Sequence, residues 1–318
     1  MRLGITLIVS LLLVVAGCAP SGQATGGGER LRVVATTTQV GWVASEVGGD
    51  TIDLTVLLAP GAEAHDYEMT ATDAAAVEDA DLILRSGANL ESWLDDALTT
   101  IATDATIVDL SEGIELREPG ADEPAHEEEP GHEEEGGERH VDPHYWLSAP
   151  NAIVMVENVE TALAEASPTD VAEFDERAGA VIARLEAADA EIRALMDEIP
   201  EDRRRIVTNH DALGYFIDEY GLRFVGSVFP NLDVSSEPSP QELAELIEAI
   251  RSEGVVAIFS ESAVNPELAE TVAAETDAVV SDEPLYTDSL GPPGSGADTL
   301  DGMLLHNARV IHDALVEG

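Results

Sequence analysis

At 318 residues the chain is long enough for two domains with sizeable cores. Its 64 acidic and 15 basic residues give a net charge of −49, which excludes nucleic acid and anionic membrane surfaces as partners of its folded part. Every basic residue is arginine, and so acidic a surface suits a salt-rich setting, where screening weakens self-repulsion.

In chain order, Arg2 precedes an apolar run from Leu3 to Val15. The run is shorter than the roughly 20 residues of a membrane-spanning helix and reads as a secretory signal. It ends Val15-Ala16-Gly17-Cys18, which resembles the bacterial lipobox. Residues 1–18 are therefore expected to be a lipoprotein signal peptide, with Cys18 lipidated as the new N-terminus, and residues 19–30 a flexible tether. Cys18 is the only cysteine, so no internal disulfide forms.

Strands are predicted at Leu31–Thr37, Thr51–Pro60, Asp81–Gly87 and Ala105–Leu110, with helices after the first, from about Thr72, and over Leu90–Ile101. Strands alternating with helices imply parallel β-α-β units. Residues 118–139 are Glu, Gly, Pro and His with hardly an apolar side chain. They cannot offset their ordering entropy by burial, and a disordered acidic loop is expected there. A helix over Asn151–Glu165 follows. From Ser167 to Pro200 runs one long helical pattern, with Ser167 as its cap and Pro168 in its first turn. At about 45 Å it is either a strut between lobes or a helix lying flat on one domain.

The alternation then repeats: strands Arg205–His210, Leu222–Phe229, Val255–Ser260 and Ala278–Ser281, and a last helix over Leu300–Val316. Ser239, Pro240 and Glu242 spell a capping box that opens one of the intervening helices.

Candidate metal ligands fall where open α/β sheets place their ligands, beyond the carboxyl ends of strands. His65 follows the second strand, His210 ends the strand from Arg205, Asp288 lies after the last strand, and His144 precedes a helix. Taken singly, each is as readily a turn or capping residue. His306 and His312 lie on the last helix, where a cation interacts well with the helix dipole.

The blocks VVATTTQVGWVASEVGGD, LLAPGAEAHDYEMTATD, ADLILRSGANLESWL, DPHYWLSAPNA, VTNHDALGYFIDEYGL, EPSPQELAELIEAI, IFSES and LYTDSLG occur in that order. From Leu31 to Gly318 this pattern resembles the metal-binding (cluster A-I) substrate-binding lipoproteins of zinc and manganese ABC importers. The resemblance implies an α/β fold of two pseudo-symmetric lobes with parallel sheets, residues 31–166 and 201–318, joined by one long linker helix over 167–200, which favours the strut. It implies one metal ion held between the lobes by His65 in GAEAHDYE, His144 in DPHYWL, His210 in TNHDA and Asp288 in LYTDSLG. Many members read D-P-H where this chain reads Glu63-Ala64-His65.

Members regarded as manganese-specific usually carry glutamate at the position of His210, so three histidines and an aspartate point to zinc (Zn2+), with manganese (Mn2+) the alternative cargo. The acidic loop, with His126, His132 and His140, resembles the loop of zinc-importing members and is expected to collect zinc weakly. The implied role is extracytoplasmic capture and delivery, not catalysis, with the permease and ATPase of an ABC importer as partners and a lipid anchor at the cell membrane. An adhesin or a free-standing metallochaperone would carry the same site. A metallohydrolase, with Asp66 or Glu68 as base, lacks an HExxH motif and the open metal position that catalysis needs.

Overall fold

The sheets of the two halves share one strand order. A computed structural model describes residues 30–118, 141–230 and 237–317, and Leu31–Gly318 is one compact unit. In the first half, β1 (Leu31–Ala35), β2 (Ile52–Val56), β3 (Leu82–Arg85) and β4 (Thr106–Asp109) form a parallel sheet ordered β2-β1-β3-β4. In the second, β5 (Arg205–Thr208), β6 (Arg223–Ser227), β7 (Ala257–Phe259) and β8 (Val279–Val280) are ordered β6-β5-β7-β8, again all parallel. Two parallel-sheet α/β lobes are therefore present. The strands are shorter than the apolar runs predicted, although single backbone hydrogen bonds carry on past their ends, from the Thr36 N–H to Leu84 and from the Phe229 N–H to Asn209.

In the first lobe the crossovers are α1 (Thr38–Gly48), α2 (Ala71–Asp79) and α3 (Ser92–Leu98). α4 (Ala149–Ala166) leads to the 28-residue α5 (Val171–Glu198). The second lobe adds α6 (Gly214–Tyr220), α7 (Pro240–Glu253), α8 (Glu267–Ala274) and α9 (Leu300–Glu317). Among the described residues no helix is long and apolar enough to cross a membrane.

The start of α5 differs from the sequence reading. Ser167 closes α4, its backbone N–H reaching the Leu163 carbonyl, and its hydroxyl donates to Asp170, which precedes the first turn of α5. Ser167 and Pro168 thus make the turn between α4 and α5, ahead of the long helix, where the sequence reading placed them as its cap and first turn. The capping box of α7 is present: Ser239 accepts from the Glu242 N–H and Glu242 accepts from the Ser239 N–H.

α5 buries one stripe, Phe174, Ala178, Val181, Leu185, Ala188, Ile192 and Met196, at the three- and four-residue spacing of one helix face. Its arginines fasten it on both sides. Arg177 donates to the Gly48 carbonyl at the end of α1. Arg184 pairs with Glu46 of α1 and Asp301 of α9, with its guanidinium over the Trp42 ring. One buried apolar cluster runs through β1, β3, α4, α5, one face of the second sheet (Ile206, Ala257, Phe259) and α9. The other face of that sheet (Val207, Ile258) packs with α7 and α8 in a smaller cluster, the alternation expected of a sheet covered on both sides.

Candidate metal site

The strand order reverses beside β1 in the first sheet and beside β5 in the second, and side chains beyond the carboxyl ends at such a point face a shared crevice. Strand register places the second lobe's contribution. Thr208 of β5 pairs with Phe259 of β7. Two residues further along each strand stand His210 and Glu261. Glu261 Oε1 accepts the His210 backbone N–H at 2.9 Å, and Oε2 lies 2.7 Å from the imidazole Nδ1. That turns Nε2 of His210 toward Asp288, 3.6 Å from its Oδ2.

His144 is fixed in the same way from the first lobe. Asp142 Oδ1 accepts its backbone N–H at 3.0 Å and lies 2.8 Å from its Nδ1. Arg117 reaches the other oxygen of Asp142 at 3.3 Å. Nε2 of His144 is left facing Asp288 Oδ1 at 3.2 Å and His65 Nε2 at 3.1 Å. His65 sits in the loop after β2. There its N–H donates to Glu63 Oε1, and the neighbouring Ala64 carbonyl accepts the Trp93 indole N–H at 3.0 Å. Trp93 belongs to α3, whose approach is shaped by three left-handed residues, Gly87, Ala88 and Asn89. Gly87 is required there: at φ +82° a Cβ would fall on Asp109. The Glu91 carboxylate holds the turn by accepting from the backbone of Ser86 and Gly87 and from the Thr36 hydroxyl.

One ligand-capable atom from each of His65, His144, His210 and Asp288 lies within 4.8 Å of the other three. The His65 side chain is 14% exposed and the others 3% or less. Nε2 of His210 and Oδ1 of Asp288 are buried with no hydrogen-bond partner. Buried polar atoms are nearly always satisfied, and a cation between these atoms would satisfy both. The four candidates are thus brought together. His306 and His312 stand apart, His306 on the Pro284 carbonyl and His312 between Glu198 and Asp313. His126, His132, His140 and Cys18 lie outside the described residues.

Tyr67, next but one to His65, has a structural part: its hydroxyl donates to Leu57 and Asp73. The residues that the sequence did not reveal are Asp142 and Glu261. Asp142 had a local signal, two positions before a ligand. Glu261 had none, because only the β5–β7 register brings it to His210.

The site's charge balance depends on whether an ion is bound. Without one, burial opposes a charged His144, but the Asp142 and Asp288 carboxylates outweigh it and raise the imidazole from 6.5 to about 9. His210 is likewise raised well above the usual value, burial again being outweighed by Glu261 and Asp288. Asp288 is held well below the usual carboxylate range by His210 and His144, against the effect of burial. A raised imidazole stabilises the fold fully below its unfolded value of 6.5 and ceases to do so as pH rises through about 9. Asp288 contributes above 3.8 and loses its contribution as pH falls through its lower folded value. The ion-free protein should therefore draw most stability from this site between pH 3.8 and 6.5. Its melting midpoint in excess chelator should fall as pH is raised from 6.5 to about 9, whereas a bound ion should remove that fall by replacing the protons.

The family described as zinc-uptake complex component A, periplasmic (ZnuA), matches residues 33–314. The manganese-binding lipoprotein MntA of Bacillus subtilis (strain 168) is 28% identical over 321 residues, covering 99% of this chain and 100% of the relative. The iron-binding protein YfeA of Yersinia pestis is 29% identical over 285 residues, 90% of this chain and 86% of the relative. The periplasmic zinc-binding protein TroA of Treponema pallidum is similar in structure with a TM-score of 0.78 and 28% identity, over 90% of this chain and 99% of that one. With the match running through both sheets and the helix between them, the chain belongs to the ZnuA family of metal-binding substrate-binding proteins of ABC importers.

Proposed function

We propose that this protein captures zinc outside the cytoplasm and delivers it to the permease of an ABC importer. His65, His144, His210 and Asp288 are the ligands, and Cys18 carries the lipid that keeps the protein at the membrane surface. The observation that carries the reading is the convergence of three imidazoles and one carboxylate within 4.8 Å, nearly closed to solvent. Such a set suits the four-coordinate geometry of zinc, whereas manganese favours more oxygen donors and a larger coordination number. Asp142 and Glu261 support it by orienting two of the imidazoles from behind, as carboxylates commonly do for zinc-bound histidine. Capture is coupled to protons, because the imidazoles must be neutral to bind.

The relatives' own names span manganese, iron and zinc, so the cargo is decided by competition. The chain without its first 18 residues is stripped and titrated with zinc against manganese, with total bound metal measured. One tight zinc site is expected. Preferential retention of manganese would instead favour a manganese-specific protein. Weaker additional zinc is expected to disappear when residues 118–139 are deleted, and its persistence would remove any role for His126 and His132 in collecting zinc.

A further inference from the structure

The segment carrying Asp288 changes its attachment within one residue. Up to Tyr286 it is bonded to the second lobe. Leu285 and Ser260 are linked through backbone, and both the N–H and the carbonyl of Tyr286 are met by the Asn307 side chain of α9. At Thr287 the hydroxyl still turns to Glu261, at 2.7 Å. The carbonyl of that same residue accepts instead from the first lobe, from the Trp146 indole at 2.8 Å and the Gln39 amide at 3.3 Å. Beyond it, Ser289 Oγ accepts from the Gly61 N–H and the Leu290 N–H donates to Thr38 Oγ1, each at 2.8 Å. Asp288 thus stands on a stretch that is chemically continuous with the second lobe but hydrogen-bonded to the first.

Trp146 has the central position in this arrangement. It is fully buried, its ring meets His144 edge-on with centroids 5.6 Å apart, and its N–H holds the residue before Asp288. One indole therefore fixes the separation of two ligands that come from distant parts of the sequence. We propose that Trp146, assisted by Gln39, is the positioning residue that keeps Asp288 beside His65 and His144 as a three-ligand unit on the first lobe. His210 is then the single ligand supplied from across the crevice, and it lets go first when the ion is released. This rests on the ligand assignment above. It replaces an even division of ligands between lobes, the division that sequence order alone implies, with three on one side and one on the other.

The test is a double-mutant cycle on zinc dissociation, followed by chelator capture from the chain lacking its first 18 residues. Trp146→Phe keeps most of the ring and removes only the N–H. It should speed zinc dissociation about fivefold, the effect of one lost hydrogen bond, with little change in association. In an Asp288→Asn background the same substitution should change nothing further, because its effect runs through Asp288. A core-filling role would instead give the same factor in both backgrounds, and that result, or no change in either, overturns the proposal. Gln39→Met, taken through the same cycle, should act in the same direction and keeps the test decisive should Trp146→Phe fold poorly. His210→Ala should cost less affinity than His144→Ala, and the reverse order would also overturn it. An unchanged zinc affinity in Asp288→Asn alone would refute the ligand assignment and the clamp together. A weakened Asp288→Asn with an additive Trp146→Phe would refute the clamp alone.

Discussion

Replacing His144 with alanine should raise the dissociation constant for zinc about a hundredfold. A structural zinc site contributes about 10–16 kcal/mol at neutral pH. One of four ligands then accounts for about 3 kcal/mol, and every 1.4 kcal/mol is about tenfold in affinity. His144 should be at the upper end of the four because its surroundings cannot compensate. Its side chain is completely buried, between Asp288 at 3.2 Å and Asp142 at 2.8 Å. Alanine leaves an imidazole-sized void closed off from bulk solvent, so water does not freely take the ligand position, and it leaves the buried Asp142 with one partner fewer. Competition against a chelator of known affinity measures the effect. A change below about tenfold would mean that the ion is held elsewhere.

Glu261→Gln should weaken zinc about ten- to a hundredfold although it touches no ion, the usual range for a group that orients a ligating histidine. Glutamine keeps the volume but replaces one acceptor oxygen with a donor. In the wild type both oxygens are engaged with donors: Oε1 with the His210 N–H, and Oε2 with Thr287 Oγ1 while facing His210 Nδ1. Whichever way the amide turns, a donor meets a donor in a buried place. The same substitution removes the charge that helps to raise His210, so protons should compete less strongly for that imidazole. The pH at which the association constant for zinc is half its high-pH value should therefore shift downward even as that high-pH value falls. A purely steric defect would lower affinity without moving that midpoint.

The order of strands and helices was legible in the sequence because parallel strands buried on both faces read as continuous apolar runs. What the runs could not indicate was where pairing ends. VVATT continues apolar and β-branched to Thr37, yet the strand stops at Ala35, since the next residues turn into α1 and their hydroxyls serve as caps and cross-links. Four candidate ligands were legible for a different reason: each lies in a short motif with a fixed place after a strand or before a helix. Asp142 could be seen beside His144. Glu261 could not, because its link to His210 spans 51 residues and is created only by strand register. The equivalent register in the first lobe, Ala35 with Leu84, leads to Thr37 and Ser86, whose hydroxyls lie 3.2 Å apart. The two lobes thus share a framework, but a histidine and a carboxylate occupy these positions in one and two hydroxyls in the other.

The apolar cluster that passes from β1 through α5 to α9 has a consequence for how the molecule comes apart. Two sheets of the same topology would ordinarily be expected to melt as two bodies, each with its own enthalpy. Here the largest cluster draws Val34 and Ile83 from one sheet, Ile206 and Phe259 from the other and Leu185 of α5 into a single interior. Neither sheet can lose its cover without exposing that of its neighbour, so calorimetry should record one endotherm, with a van't Hoff enthalpy equal to the calorimetric one. Heating would then leave no half-molecule that still grips the ion.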